Sequence, residues 1–140
     1  MKYRLTSETI RHACVTLHRI ECVESFNGVN VGERGGYVEK EFNLSQFGNA
    51  WVYGDAKVYG DAWVCGNAEV YGEKDYIVFK NSWSSGRYFT WTRSNDKWRV
   101  GCFYGSGDEL IKKAYSDREE SGRHYELYVQ LVDRLKELDK

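Results

Sequence analysis

The chain has 140 residues, of which 41% are hydrophobic and 29% are charged, and its formal net charge is −1. This length fits a single domain, and the composition excludes a mainly disordered chain. A net charge so close to zero points to no class of partner. Aromatic residues make up 16% of the chain, with five Trp and eleven Tyr. So many rings must fill a core or form a contact surface.

The N-terminal third predicts a small β cap and no membrane segment. Met1–Glu8 contains no apolar stretch of the signal-peptide kind, and no run of apolar residues is long enough to span a membrane. Apolar and polar residues alternate through Cys14–Val23, which predicts a strand paired with Lys2–Leu5 or Thr9–Arg11. We therefore expect a β-hairpin or small sheet within residues 1–35.

The cysteines predict neither a metal site nor a disulfide framework. They lie far apart with no Cys-x-x-Cys pair, at Cys14, Cys22, Cys65 and Cys102. We expect all of them to be reduced thiols that lie in or near the core, because free cysteine is among the most buried residue types.

Four consecutive six-residue repeats occupy residues 48–71, and each reads Gly-Asn/Asp-Ala-x-Val followed by Tyr or Cys. Ala and Val are two residues apart, so both point to the same side of a short strand, while Gly with Asn or Asp suits a corner. A hairpin meander gives no reason for such a strict repeat. The segment resembles the hexapeptide-repeat family, in which three hexads form one coil of a left-handed parallel β-helix.

The C-terminal half predicts an antiparallel meander followed by two helices. Three apolar, alternating runs are separated by turn residues, at Tyr76–Lys80, Arg87–Thr92 and Trp98–Tyr104. Ser106-Gly-Asp-Glu109 has the spacing of a capping box and opens a helical pattern. We expect a break at Ser121-Gly122 before the second helix.

The predicted fold class is therefore α+β and mainly β. A short left-handed parallel β-helix of about two coils is expected in residues 36–74, with an irregular first coil before the hexads. It is capped by the N-terminal β-hairpin of residues 1–35 and by the C-terminal antiparallel meander and two helices of residues 75–140. The three parts are expected to form one compact unit.

Several motifs extend the resemblance to nearly the whole chain. They are Leu5-Thr6, Gly35-Gly-Tyr-Val-Glu39, Asn43-Leu-Ser-Gln46, the hexads, and Trp98-x-Val-Gly-Cys-Phe-x-Gly105 followed by Glu109-Leu-Ile. This order is similar to that of small hexapeptide-repeat proteins encoded in bacteriophages and prophages. The resemblance implies a virus-associated protein of bacteria, but it supplies no activity and no catalytic residues. The absent apolar stretch and the unpaired cysteines add the expectation that the protein is cytoplasmic in the bacterial host cell.

The sequence favours a protein that is not an enzyme. Hexapeptide-repeat acyltransferases place a catalytic His in or beside their coils, whereas no His occurs here between Val23 and Ser121. Acyl transfer remains a remote alternative. No nucleotide-binding loop, nucleophile motif or metalloprotease motif is present, so we expect no catalytic residues, no metal and no cofactor.

Two surfaces are predicted to contact a partner. If Ala and Val of the hexads point inward, the large aromatic residues between them point outward, with Tyr53 stacked on Tyr71: Trp51, Tyr53, Tyr59, Trp63 and Tyr71. The meander interleaves basic and aromatic residues that could hold phosphates and stack bases: Arg87, Trp91, Arg93, Trp98 and Arg99.

With the phage resemblance, these features predict a non-enzymatic protein that binds a host protein of a defence system, as an inhibitor of the anti-CRISPR kind. The alternative is a nucleic-acid or nucleotide binder that uses the basic, aromatic meander. Open strand edges and aromatic rows also favour a homo-oligomer, and a dimer in particular. No membrane partner is expected.

Overall fold

The structure is a computed structural model that describes residues 1–139. Within these residues, ten strands form three sheets, and two helices follow the strands. The strands are β1 (Tyr3–His12), β2 (Val15–Cys22), β3 (Arg34–Val38), β4 (Trp51–Val52), β5 (Lys57–Val58), β6 (Glu69–Val70), β7 (Tyr76–Lys80), β8 (Tyr88–Thr92), β9 (Lys97–Val100) and β10 (Phe103–Gly105), and the helices are α1 (Gly107–Asp117) and α2 (Glu119–Leu138).

The first sheet is mixed and has the strand order β1-β2-β3-β5. Strands β1 and β2 form an antiparallel hairpin around Ala13 and Cys14, both of which adopt positive φ. Strand β3 pairs antiparallel with β2 on one side and parallel with β5 on the other. The hairpin thus continues directly into the repeat segment, which we define as residues 48–72.

The predicted left-handed parallel β-helix of about two coils is wrong as a fold class. The hexads supply only two-residue strands, and these are divided between the mixed sheet, which contains β5, and a separate parallel pair of β4 and β6. The third hexad adds only an isolated parallel bridge between Leu44 and Val64. With so few hexads, each short strand finds one repeat neighbour at most, and the hairpin sheet takes up β3 and β5. The result is a mixed α+β fold of several small sheets.

The local prediction for the hexads is confirmed at the level of burial. The Ala and Val of every hexad are at most 5% exposed: Ala50, Val52, Ala56, Val58, Ala62, Val64, Ala68 and Val70. The hexad glycines all adopt positive φ, between 59° and 74°, a conformation that glycine reaches without steric penalty. Together with Tyr3, Ile20 and Trp51 these side chains form the first hydrophobic core.

Strands β7 to β10 form an antiparallel meander, which is the middle layer between the repeat segment and the helices. The expected third run is split, because Gly101 at positive φ opens a turn between β9 and β10. One face of the meander packs rings against α1 and α2 and forms the second core, which contains Phe89, Trp91, Trp98, Leu110 and Tyr125.

The predicted start of α1 is confirmed, whereas the predicted start of α2 is not. The Ser106 hydroxyl accepts a hydrogen bond from Glu109 N at 3.2 Å, and the Glu109 carboxylate accepts one from Ser106 N at 2.9 Å, so the predicted capping box is confirmed. The predicted break at Ser121-Gly122 is wrong, since α2 already begins at Glu119. Gly122 is buried against the Tyr115 ring, and this close approach of the two helices explains the glycine.

Candidate functional site

The aromatic residues of the repeats do not form one outward row. Trp51 is fully buried, and its ring meets those of Tyr3 and Phe26 at centroid distances of 6.2 and 5.3 Å. Its prediction as a contact residue is therefore wrong, because the N-terminal segment covers β4. The predicted stack of Tyr53 on Tyr71 is confirmed, with ring centroids 4.5 Å apart and planes inclined by 13°.

The remaining aromatic residues of the repeats lie between core and solvent. Tyr59 is half-buried and meets the His12 ring at 5.2 Å. Tyr71 is 62% exposed, and its hydroxyl donates a hydrogen bond to the Glu69 carboxylate at 2.6 Å, which raises the pKa of Tyr71 to about 12. Trp63 is half-buried and faces the meander.

The predicted basic, aromatic surface of the meander is not a single surface. Trp91 and Trp98 belong to the second core and are at most 1% exposed, so neither can stack a base. The three arginines separate as well. Arg87 lines a cavity beside α1, Arg93 is ion-paired with Asp139 at 3.1 Å, and Arg99 lies against the repeat segment. Strand alternation separates Arg99 from Trp98, because neighbours in a strand point to opposite faces of the sheet. Arg87 and Arg93 lie just before and just after β8, at its two ends.

Arg99 is the one predicted site residue of the meander that meets a predicted site residue of the repeats. Its guanidinium carbon lies 4.0 Å from the centre of the Trp63 ring, a cation–π contact. These two side chains border a surface groove of about 470 Å³ between the repeat segment and the meander. We call it the Arg99 groove, and its lining includes Phe47, Gly48, Trp63, Gly66, Arg99 and Tyr104.

Strand register and backbone contacts fix both sides of the groove. Arg99 lies opposite Thr90 in the β8–β9 pair, and Thr90 Oγ1 accepts a hydrogen bond from Trp63 N at 3.0 Å. On the other side, Tyr104 lies so close to Gly66 that no Cβ would fit there. The Tyr104 hydroxyl accepts a hydrogen bond from Asn95 Nδ2 at 2.8 Å. The groove is thus held in shape before any ligand arrives.

The positively charged guanidinium of Arg99 lacks hydrogen-bond acceptors and carboxylate partners among residues 1–139. Its Nε atom is buried and has no hydrogen-bond acceptor among residues 1–139, and within that range no carboxylate forms an ion pair with the side chain. A buried donor without an acceptor costs about 1–3 kcal/mol, and more when it is charged. Arg19 shows the contrast, since it pairs with Glu8 at 3.1 Å and Asp55 at 3.2 Å.

The other polar groups of the groove carry no charge at neutral pH. Burial raises the pKa of the Cys65 thiol, and the nearby Arg99 only partly opposes this. Burial also raises the pKa of Tyr104. Ser45 has no titratable group, so Arg99 supplies the single charge of the lining.

Exposed rings that sequence reasoning missed surround this charge. Phe47 is 85% exposed in the groove wall, and Phe42 is 49% exposed with its ring 5.1 Å from that of Trp63. Both precede the first hexad, in the stretch expected to form an irregular coil. A signal was present, because neither residue fits the Ala-x-Val spacing that marks the buried positions.

Two other cavities are weaker candidates for a binding site than the Arg99 groove. The cavity beside Arg87, of about 450 Å³, is also lined by Lys113 and Arg118, whose charges are already paired with Asp117 and Glu120. A smaller cavity adjoins Lys2. The Lys2 ammonium donates hydrogen bonds to the carbonyls of Ala50 at 2.7 Å and Gly48 at 3.3 Å, and burial lowers the pKa of Lys2 to about 8.

The prediction that all cysteines lie in or near the core is wrong for half of them. Cys22 and Cys65 are buried, whereas Cys14 and Cys102 are exposed in the hairpin turn and in the β9–β10 turn. Both turns use positive φ, at Cys14 itself and at Gly101. A tight turn turns its side chains toward solvent, and the alternation of the neighbouring strands gives no sign of this.

The histidines lie outside the Arg99 groove. His12 contacts the Glu73 carboxylate at 3.0 Å, His18 contacts the Thr6 carbonyl at 3.1 Å, and His124 stacks on Trp83 with ring centroids 4.3 Å apart. Within residues 1–139, no three His, Cys, Asp or Glu side chains converge as ligands for a metal ion. No helix in the same part of the chain is long and apolar enough to cross a membrane.

Comparison with known proteins adds no family to these observations. No protein-family model matches the chain, and no curated protein matches its sequence. The site must therefore be interpreted from its own residues.

Proposed function

We propose that this chain is a non-enzymatic, phage-encoded binding protein that contacts a host protein of a bacterial defence system and inhibits it stoichiometrically, as anti-CRISPR proteins do. The proposed origin rests on the motif resemblance described above. The proposed mode of action rests on the Arg99 groove. Arg99 has no acidic partner among residues 1–139, stacks on Trp63 and is bordered by the exposed Phe47, which is the composition of a contact hot spot.

The composition of the groove favours a protein partner. Interface centres are enriched in aromatic residues and Arg and depleted of other charges, and the groove has this composition. Arg99 is its one charged lining residue, whereas Phe47 and Trp63 offer apolar area. Exposed rings on a small protein are typical of an interaction site.

An affinity capture with matched variants tests the contact. The tagged protein is incubated with a bacterial lysate, with and without nuclease, and bound proteins are identified by mass spectrometry. We expect one dominant protein in near-equimolar amount that survives nuclease. Arg99→Gln should reduce the capture at least tenfold, while Arg87→Gln, a change at an exposed arginine outside the groove, should leave it unchanged.

A plaque assay tests the inhibition. Cells with an active CRISPR–Cas system are challenged by a targeted phage with and without expression of this protein. Restored plaque counts with the wild type, and their loss with Arg99→Gln, are expected. Unchanged plaque counts with the wild type contradict inhibition of that system. Equal plaque counts for wild type and Arg99→Gln assign the contact to another face.

Nucleotide binding is a second candidate, and the Arg99–Trp63 stack is the observation that favours it. A planar guanidinium on an indole ring is also found where proteins hold nucleic acids. The phosphate contacts would have to come from Arg99, because Arg87 and Arg93 lie elsewhere. A raised ratio of absorbance at 260 to 280 nm, or binding of an oligonucleotide at low salt, would support it. No binding at low salt excludes it.

We also propose a homodimer. Leu127, Leu131 and Leu138 on α2 are between 44% and 80% exposed and recur at helical spacing along one side. Light scattering across a tenfold range of concentration should give twice the chain mass, and Leu131→Glu should give the monomer. A monomeric wild type contradicts the proposal.

A further inference from the structure

Arg99 lacks the carboxylate partner that several other arginines have among residues 1–139. Arg4, Arg19 and Arg93 each have a carboxylate within 3.2 Å. Arg99 is more buried than Arg4 and yet has none among residues 1–139, and its buried Nε–H has no acceptor there. The charged guanidinium forms its strongest hydrogen bonds with anionic acceptors such as carboxylate or phosphate. Arg99 lines the groove, so an acceptor from outside can approach the terminal nitrogens of its guanidinium there.

The single positive charge of the groove favours a ligand group that carries a single negative charge. Arg99 contributes one positive charge, and the other groove side chains are neutral because burial raises the pKa of Cys65 and of Tyr104. A carboxylate carries one negative charge and matches the planar guanidinium. A phosphomonoester carries about −1.5 to −2 at neutral pH and would leave part of its charge without a partner.

Aromatic rings of the groove provide an apolar surface beside the charge of Arg99. Phe47, which is 85% exposed, and the half-buried Trp63 both line the groove beside the guanidinium. An apolar or aromatic side chain of a ligand can pack on them while a neighbouring carboxylate reaches Arg99. Phe42 extends this apolar area past Trp63.

We infer that the Arg99 groove binds an acidic peptide segment of a protein partner, with an Asp or Glu side chain paired to Arg99 and an adjacent aromatic or aliphatic side chain packed on Phe47 and Trp63. This inference rests on the proposed function, because it names the chemistry of the segment that the partner presents.

The test is a titration followed by nuclear magnetic resonance. The ¹⁵N-labelled protein is titrated with N-acetyl-Asp-Phe-amide, and the resonances of Arg99 Nε–H and Trp63 Nε1–H are followed. N-acetyl-Asn-Phe-amide, which differs only in the carboxylate, is the matched probe. Inorganic phosphate and adenosine monophosphate are the competing chemistries.

We expect saturable shifts of both resonances with the Asp probe and at least tenfold weaker binding of the Asn probe. Arg99→Gln should abolish binding of the Asp probe, whereas Arg87→Gln should not change it. Because loss of Arg99 could disturb the fold, Phe47→Ala serves as a second variant at an exposed position. It should weaken binding about fivefold, since it removes one aromatic contact with the ligand. Thermal unfolding of each variant checks its fold.

Three results would overturn the inference. They are equal binding of the Asn probe, tighter binding of phosphate or adenosine monophosphate than of the Asp probe, and shifts with the Asp probe that persist in Arg99→Gln. Its failure is distinguishable from failure of the proposed function. If the Asp probe binds but no host protein is captured, the groove's recognition of an acidic peptide stands and the proposed function fails. If a host protein is captured and the Asp probe never binds, the function stands and the inference fails.

Discussion

The two hydrophobic cores of this molecule are built from opposite kinds of side chain. The core between the hairpin and the repeat segment is filled mainly by Ala and Val of the hexads, and its fully buried rings are those of Tyr3 and Trp51. The core between the meander and the helices is filled by rings, including Phe89, Trp91, Trp98 and Tyr125. A small-residue core depends on how closely the backbone approaches itself, whereas an aromatic core depends on the mutual orientation of its rings.

The seam between the two cores is polar, and the Arg99 groove lies along it. Trp63 N donates to Thr90 Oγ1 at 3.0 Å, Glu69 N donates to Ser94 Oγ at 2.7 Å, and the Tyr76 hydroxyl donates to the Lys57 carbonyl at 3.0 Å. A ligand in the groove therefore meets side chains that neither core needs for its packing. The residues that line the groove can therefore change while both cores stay intact.

Truncation of Trp51 in the first core should have the largest effect on the free energy of unfolding. Trp51→Ala should reduce the free energy of unfolding by about 3–5 kcal/mol, because it leaves a cavity beside Tyr3 and Phe26, the rings that pack on the buried indole. Urea denaturation followed by circular dichroism measures the loss. Trp63→Ala at the seam is the control and should cost less than about 2 kcal/mol, since that ring is only half-buried. Equal losses would show that the seam is as well packed as the core.

The next test concerns how closely the seam is packed against the repeats. Gly54 and Gly66 both adopt positive φ, but an added Cβ meets nothing at Gly54 and collides with the Tyr104 ring at Gly66. Gly54→Ala should cost about 1–2 kcal/mol for the backbone alone. Gly66→Ala should cost about 1–2 kcal/mol more, because Tyr104 must move away from Asn95. Thermal unfolding of the two variants gives the difference.

A zero difference between the two glycine variants would mean that Tyr104 shifts freely, and the groove would then not be held in shape. The Tyr104→Phe variant separates the two causes, since it keeps the ring and removes only the hydroxyl that accepts from Asn95. A small effect of this change with a large effect of Gly66→Ala would assign the cost to the ring.

Part of this structure could be predicted because some residue patterns act locally. Ala and Val at a spacing of two fix which side of each short strand is buried, and the glycines fix the corners. Ser106 and Glu109 mark the start of α1 through hydrogen bonds that span only three residues. In each case the deciding contact lies within one turn or one hexad.

The rest depended on contacts between distant parts of the chain. The fold class was wrong because the pairing partners of β5 and β3 are set by the hairpin, and nothing in a hexad specifies them. Trp51 was expected outside because alternation puts it opposite Val52, but Tyr3 and Phe26 cover that side. The site was half predicted: Trp63 and Arg99 were named on separate surfaces, and only the packing of the meander on the repeats brings them together.

The smallest expected effect on stability concerns the hydrogen bonds of Asp96 that link the meander to α2. The Asp96 carboxylate accepts hydrogen bonds from Trp91 Nε1 at 2.8 Å and from Lys136 Nζ at 2.9 Å. Burial of Asp96 would raise its pKa, but these two hydrogen bonds outweigh burial and hold the pKa below its ordinary value. A depressed carboxylate pKa contributes stability above the unfolded-state value of about 3.9, and the contribution is lost as the pH falls through the folded-state value.

Asp96→Asn keeps an acceptor for Trp91 and removes the charge that Lys136 pairs with. Asp96 adopts a positive φ of 50°, which Asn also tolerates, so the turn should be preserved. The wild type should be more stable than this variant by less than about 1 kcal/mol at pH 7, because exposed ion pairs are screened by solvent. The difference should shrink as the pH is lowered to about 3, below the unfolded-state value of about 3.9, because the unfolded chain then takes up a proton that the folded chain resists. Urea denaturation at the two pH values measures it, and Lys136→Met in both backgrounds isolates the ion pair. A difference that stays constant between the two pH values would mean that the charge of Asp96 contributes nothing, and the helix would then be held to the meander by the rings of the second core alone.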